Sequence, residues 1–214
     1  MHKISINCDS AVLEGDLSIS QDAKGIVIFA HGSGSSRYSP RNRYVAQTLY
    51  NKGLATLLFD LLTKEEEDEE RWTGHLRFNI PLLAERLIST TDWIKNSRQT
   101  WNLKIGYFGA STGAAAALVA AANQPNLVEA VVSRGGRPDL AATELEQVRA
   151  STLLIVGESD ETVVDLNRKA FEDLRQVKNK KIVIVPGATH LFEEPGALEE
   201  VARLATNWFL IYLR

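Results

Sequence analysis

The chain is poor in cysteine and carries no excess of positive charge. Among its 214 residues there is one cysteine, Cys8, which excludes an intramolecular disulfide framework and fits a reducing compartment. Lysine and arginine number 24 against 27 acidic residues. With no basic stripe, neither nucleic acid nor an anionic membrane surface is an expected partner. Long apolar runs are missing too: residues 114–122 form the most apolar stretch, too short and too alanine-rich to span a bilayer. The N-terminal MHKISINCDS lacks the apolar core of a signal peptide, so a cytoplasmic protein is expected. No repeat or linker divides the chain, and a single domain over residues 1–214 follows. No His/Cys/Asp/Glu set has metal-ligand spacing, and no metal or other cofactor is expected.

What is present is an alternation of buried-strand and amphipathic-helix patterns. Residues 4–19 nearly alternate apolar with polar and read as antiparallel edge strands containing Cys8 as a structural thiol. A continuous apolar run follows at 25–30 (GIVIFA), and further buried strands read at 55–60 (ATLLFD), 127–132 and 153–157, with another strand at 181–185. Such runs suit strands buried on both faces of a parallel sheet. Helical patterns lie between them at 44–50, 81–95, 112–122, 164–174 and 195–212. The expectation is an α/β fold: a three-layer sandwich around a mostly parallel sheet that opens with antiparallel strands. Nothing marks the exposed edge of those first strands for pairing between subunits.

One stretch stands out chemically. A short strand pattern runs into Gly109-Ala110-Ser111-Thr112-Gly113 and then directly into an alanine-rich helix. This G-x-S-x-G turn sits in the strand–turn–helix context of a nucleophile elbow. Its glycines permit a turn too tight for a Cβ, and the helix start aims N–H groups and a positive dipole at the site. Ser111 is therefore the candidate nucleophile. The rival reading is a tight turn without chemistry.

A serine hydroxyl needs a base, and the base needs an acid to orient it. In this kind of sheet the order along the chain is Ser, then Asp or Glu, then His. Of four histidines, only His190 follows Ser111, and it is the expected base. Asp160, just past a strand end, is preferred as the acid over Glu158 and over Asp165, which should lie inside a helix. Thr112, next to the nucleophile, is expected to give one oxyanion-hole N–H. The loop His31-Gly32-Ser33-Gly34-Ser35-Ser36 is expected to give the second, from Ser33 in preference to Gly34. That loop lacks the ending of a nucleotide-binding motif. His31 precedes Ser111 and is expected to brace the loop.

Other features remain two-sided. The run KEEEDEE at 64–70 reads as a solvated loop, with a flap over the site as the alternative. Arg71 and His75, just beyond it, are candidate substrate contacts, as is Gly34. Arg134 and Arg137 fall in a glycine-rich strand-end loop, where they either hold a substrate carboxylate or pair with Asp139 or the acidic run.

Taken together, HGSGSS, GASTG, GESDETV and PGATHLF resemble the dienelactone-hydrolase-like branch of the α/β-hydrolase superfamily over residues 25–214. The resemblance implies an α/β-hydrolase fold. Typical dienelactone hydrolases carry cysteine at the elbow, whereas this chain has Ser111, so the resemblance points to a serine esterase of that architecture. The short gap from Gly136 to Ser151 leaves no room for a large cap domain and implies an open site suited to small esters. The expected activity is hydrolysis of a carboxylic ester, lactone or thioester through an acyl-enzyme, with a small-molecule substrate. The alternatives are a non-catalytic binding protein of the same fold and an acyltransferase.

Overall fold

The computed structural model describes residues 2–8 and 11–214, without the side chain of Arg71. Eight strands form one sheet in the order β1-β2-β4-β3-β5-β6-β7-β8. They are β1 (His2–Cys8), β2 (Ala11–Ser18), β3 (Gly25–Ala30), β4 (Ala55–Phe59), β5 (Lys104–Ala110), β6 (Val128–Arg134), β7 (Ser151–Gly157) and β8 (Lys180–Val185). β1 pairs antiparallel with β2, and β2 antiparallel with β4; every pairing from β4 to β8 is parallel. The continuous apolar runs are the central strands: every residue of β3 and β4 is buried.

Helices cover both faces, as burial on two sides requires. On one face α3 (Ile80–Asn96) packs on α4 (Thr112–Asn123), which in turn touches the 3-10 segment Pro138–Gln147; that segment contacts α5 (Glu161–Asp173). On the other face α1 (Pro40–Asn51) packs on α6 (Ala197–Tyr212). The alanines of α4 are nearly all fully buried, because small side chains let this helix lie close beneath the sheet. The 3-10 segment fills the gap between β6 and β7 where a cap domain would have to insert. Parallel β3, β5, β6, β7 and β8 all end on one edge. The loops at 31–36, 111, 135–137, 158–160 and 186–196 therefore meet there.

Two expectations are corrected. The acidic run is not a loop but the first part of helix α2 (Lys64–Thr73). Thr63 caps it: its hydroxyl accepts from the Glu66 N–H at 3.2 Å while the Glu66 carboxylate accepts from the Thr63 N–H at 2.8 Å. Acidic side chains in the first turn complement the helix dipole, and Gly74 in the left-handed conformation ends the helix. Second, β6 runs two residues past the expected strand, so Ser133 and Arg134 belong to the sheet. Arg134 pairs with Ala110 on one side and Ile155 on the other. Among the described residues no helix is long and apolar enough to cross a membrane.

Candidate active site

Ser111 connects β5 to α4 with φ 52° and ψ −120°, a left-handed value that a non-glycine residue adopts only under constraint. The constraint is visible on every side. A Cβ on Gly109 would meet the backbone N of Ala114 at 2.8 Å, and one on Gly113 would collide with the carbonyls of Ala30 and His31. The Ser111 N–H donates to the Arg134 carbonyl at 3.3 Å, and its own carbonyl accepts from Arg137 N–H at 3.1 Å. The elbow is thus wedged between the ends of β3 and β6.

His190 and Asp160 are brought together. Nδ1 of His190 lies 2.6 Å from Oδ2 of Asp160. A carboxylate there fixes the tautomer with the proton on Nδ1 and leaves Nε2 free to take one. Asp160 stands at the N-cap of α5, its backbone N–H bonded to Gly157. The two competing acids are engaged elsewhere: Glu158 accepts the Gly187 N–H at 2.8 Å, and Asp165 pairs with Arg168 at 3.3 Å. The loop after β6 links His190 to Ser111. Arg134 holds the Ser111 N–H, and the next residue, Gly135, lies so close to His190 that a Cβ there would be 3.6 Å from the ring carbon Cε1.

The loop after β3 presses on the other side of the elbow. A Cβ on Gly32 would approach Ser111 Cβ at 3.1 Å. The Ser33 N–H donates to the hydroxyl of Thr112 at 2.9 Å, so in this state the expected oxyanion donor already bonds a side-chain oxygen. His31 is buried, with Nδ1 3.0 Å from the Gly32 carbonyl and Nε2 accepting the Leu61 N–H at 3.1 Å. It ties the loop to the end of β4. Burial lowers its pKa, against the opposing pull of the Gly32 carbonyl and the Asp60 charge.

A cleft of about 600 Å³ opens from Thr112 and this loop. One wall is residues 32–36 with Tyr38, Ser39, Pro40 and Arg41; the other is Leu61, Leu62, Glu67, Glu70, Arg77 and Leu83. Glu70 is buried and bound by Arg77 Nε at 2.5 Å and by the Leu76 N–H at 2.6 Å. Gly34, with φ 69°, lines the cleft. His75 is exposed and is not among the lining residues. Arg71's side chain lies outside the described structure. Arg137 forms a two-pronged pair with Asp139 at 2.9 and 2.8 Å. Arg134 is buried against Asn42 and the Phe192 ring. Glu67 and Glu70 belong to the acidic run whose alternative reading is a flap over the site, and both line the cleft; Arg41 carries no sequence signal. Among the described residues no group of three or more His, Cys, Asp or Glu could hold a metal.

This is the fold of an α/β hydrolase, and the family model for the dienelactone hydrolase family matches residues 13–209. The chain belongs to that family. Its fold superposes on the crystal structure of a dienelactone hydrolase from Anabaena variabilis with a TM-score of 0.96, 58% identity, and coverage of 100% of this chain and 98% of that one. It is 56% identical over 200 residues to a Mycobacterium tuberculosis protein whose name proposes a phosphoribosyl transferase. That match covers 93% of this chain but 44% of the relative, so this chain spans under half the relative's length. Est1E from Butyrivibrio proteoclasticus, at 18% identity, shares the fold with a TM-score of 0.80 over 98% of both chains.

Proposed function

We propose that this chain is a serine hydrolase that cleaves a carboxylic ester, lactone or thioester of a small molecule through an acyl-enzyme. Ser111 Oγ attacks the carbonyl carbon and its proton passes to His190 Nε2. Asp160 stabilises the imidazolium. The negative charge formed on the carbonyl oxygen falls to the N–H groups of Thr112 and Ser33, where the Thr112 hydroxyl gives up its bond from Ser33 to the stronger acceptor. His190 then protonates the leaving group. Water, activated by the same imidazole, releases the acid and restores Ser111. None of these steps needs a cofactor.

The observation that carries this reading is the 2.6 Å Asp160–His190 bond on the same strand-end edge as the constrained Ser111. The open cleft beside Thr112 supports a compact substrate, with Gly34 along it. The single cysteine supports a cytoplasmic setting. The transferase name of the Mycobacterium relative does not redirect the reading, because more than half of that protein lies outside the match and a nucleophilic serine with its own base is equipment for acyl transfer.

The test is hydrolysis of p-nitrophenyl acetate and butyrate by the wild type and Ser111→Ala, with intact mass after fluorophosphonate labelling. Turnover and a single adduct, both abolished by the substitution, are expected. Full activity in Ser111→Ala would refute the assignment. A folded protein with neither turnover nor adduct would instead favour a binding protein built on a hydrolase fold.

A further inference from the structure

Arg134 is the odd residue of the site. The residue is 6% exposed, yet among the described residues no carboxylate pairs with it. Among the described residues its side chain makes one hydrogen bond, from Nη2 to Asn42 Oδ1 at a long 3.4 Å. Its guanidinium instead lies over the ring of Phe192, 5.9 Å from the centroid, a cation–π distance. Burial, with a smaller push from neighbouring Arg41, holds its pKa down to about 10. A buried cation without a counter-charge is costly, and such a residue needs a reason.

The reason lies in what Arg134 joins. Its backbone carbonyl accepts the Ser111 N–H. Phe192, under its guanidinium, comes two residues after His190, is 1% exposed and has φ 56°. It is a bulky residue in a left-handed conformation, which must be held from outside. Gly135 closes the contact: a Cβ there would stand 3.4 Å from the Phe192 ring and 3.1 Å from the His190 carbonyl. Arg41 grips the next residue, Glu193, at 2.8 Å.

Resting on the serine-hydrolase reading, we infer that Arg134 is a positioning residue for His190: its backbone fixes the nucleophile while its side chain, through Phe192, fixes the loop of the base. One residue thus sets the distance between the two groups that exchange a proton. A misplacement of about 1 Å at such a pair costs on the order of 100-fold in rate.

The experiment compares Arg134→Met, Arg134→Lys, Phe192→Leu and the Arg134→Met/Phe192→Leu double variant. Turnover of p-nitrophenyl butyrate is normalised to active sites titrated with a fluorophosphonate, so that unfolded protein does not count. Arg134→Met and Phe192→Leu should each lower kcat by about 10- to 100-fold with KM within about twofold. The double variant should be no slower than the worse single, because both break one contact. Arg134→Lys, which keeps a cation over the ring, should recover most of the rate. Independent, multiplying effects, or kcat within about twofold of wild type in both single variants, would overturn the inference. So would an Arg134→Met defect confined to the KM of an anionic ester such as mono-p-nitrophenyl succinate, which would make Arg134 a substrate contact. A wild type with neither turnover nor adduct would overturn this inference together with the reading beneath it. Wild-type turnover abolished by Ser111→Ala leaves that reading standing whatever the Arg134 variants do.

Discussion

On one side of the cleft, Thr112 and the loop at 31–36 are locked to the ends of buried parallel strands; on the other, Glu67, Glu70 and Arg77 stand on a short charged helix and the turn after it. The first wall is held by backbone packed on backbone. Gly113 leaves no space between itself and the carbonyls of Ala30 and His31, and His31 spans from its own loop to Leu61. The second wall is held by ion pairs, Glu70 with Arg77 and Glu66 with Arg86. Around those pairs, Trp72 and Phe78 are 91% and 56% exposed. Close packing tolerates little displacement, whereas the second wall depends on charged side chains, each pair joining one buried partner to one that is partly exposed. Under the proposed reading, the first wall would serve the chemistry through Thr112 and Ser33, and the second would serve substrate choice.

The sharpest way to break this comparison is to remove the chemistry. Ser111→Ala should lower kcat/KM on p-nitrophenyl esters by at least about 10³-fold, and Asp160→Asn by on the order of 10²- to 10⁴-fold. Both should leave the urea midpoint close to wild type. Next comes a matched pair of glycine substitutions, one in each wall. Gly113→Ala forces a methyl into the Ala30 and His31 carbonyls and should destabilise the fold by about 3 kcal/mol or more. Gly74→Ala, with nothing within 4 Å of its Cβ but a φ of 66°, should cost only about 1 kcal/mol. Equal costs in urea denaturation would erase the distinction between the walls. Third, Glu70→Gln should shift KM several-fold with kcat within about twofold; a kcat loss as large as that of Asp160→Asn would move chemistry onto the second wall.

The smallest effect concerns pH. His31 has a folded-state pKa below its unfolded value of about 6.5. As pH falls through 6.5, the unfolded chain takes up a proton that the folded protein resists. Stability is therefore lost from that point down to the folded pKa and levels off below it. His31→Gln, whose side-chain oxygen can accept the Leu61 N–H without titrating, should show a shallower fall of urea midpoint between pH 7.5 and 5.5. Parallel slopes in the two proteins would remove His31 from the acid response.

Much of this architecture is readable without coordinates because it rests on local chemistry. The residues of β3 and β4, apolar except for Thr56, cannot face water, and the alternating start can, so the central and edge strands declare themselves. The elbow is readable because only glycine fits at 109 and 113. The helix of the acidic run is written in Thr63 and Glu66, but a run of seven charged residues without an apolar stripe reads as a solvated loop. The end of β6 was harder: Ser133 and Arg134 are poor strand markers, and they extend the sheet only because Gly109–Ala110 and Leu154–Ile155 flank them.

The amino-acid order by itself therefore determined the alternation of strands and helices, the sharp turn at Ser111, and the succession of Ser111, Asp160 and His190 at strand ends. Only the tertiary structure decided that Asp160 rather than Glu158 or Asp165 meets His190. It also decided that the Thr112 hydroxyl occupies the Ser33 N–H, and that Arg134 reaches Phe192 instead of a carboxylate. Periodicity and turn chemistry act within a few residues. These contacts join loops tens of residues apart, and their distances are set by sheet register and by how closely buried backbones pack.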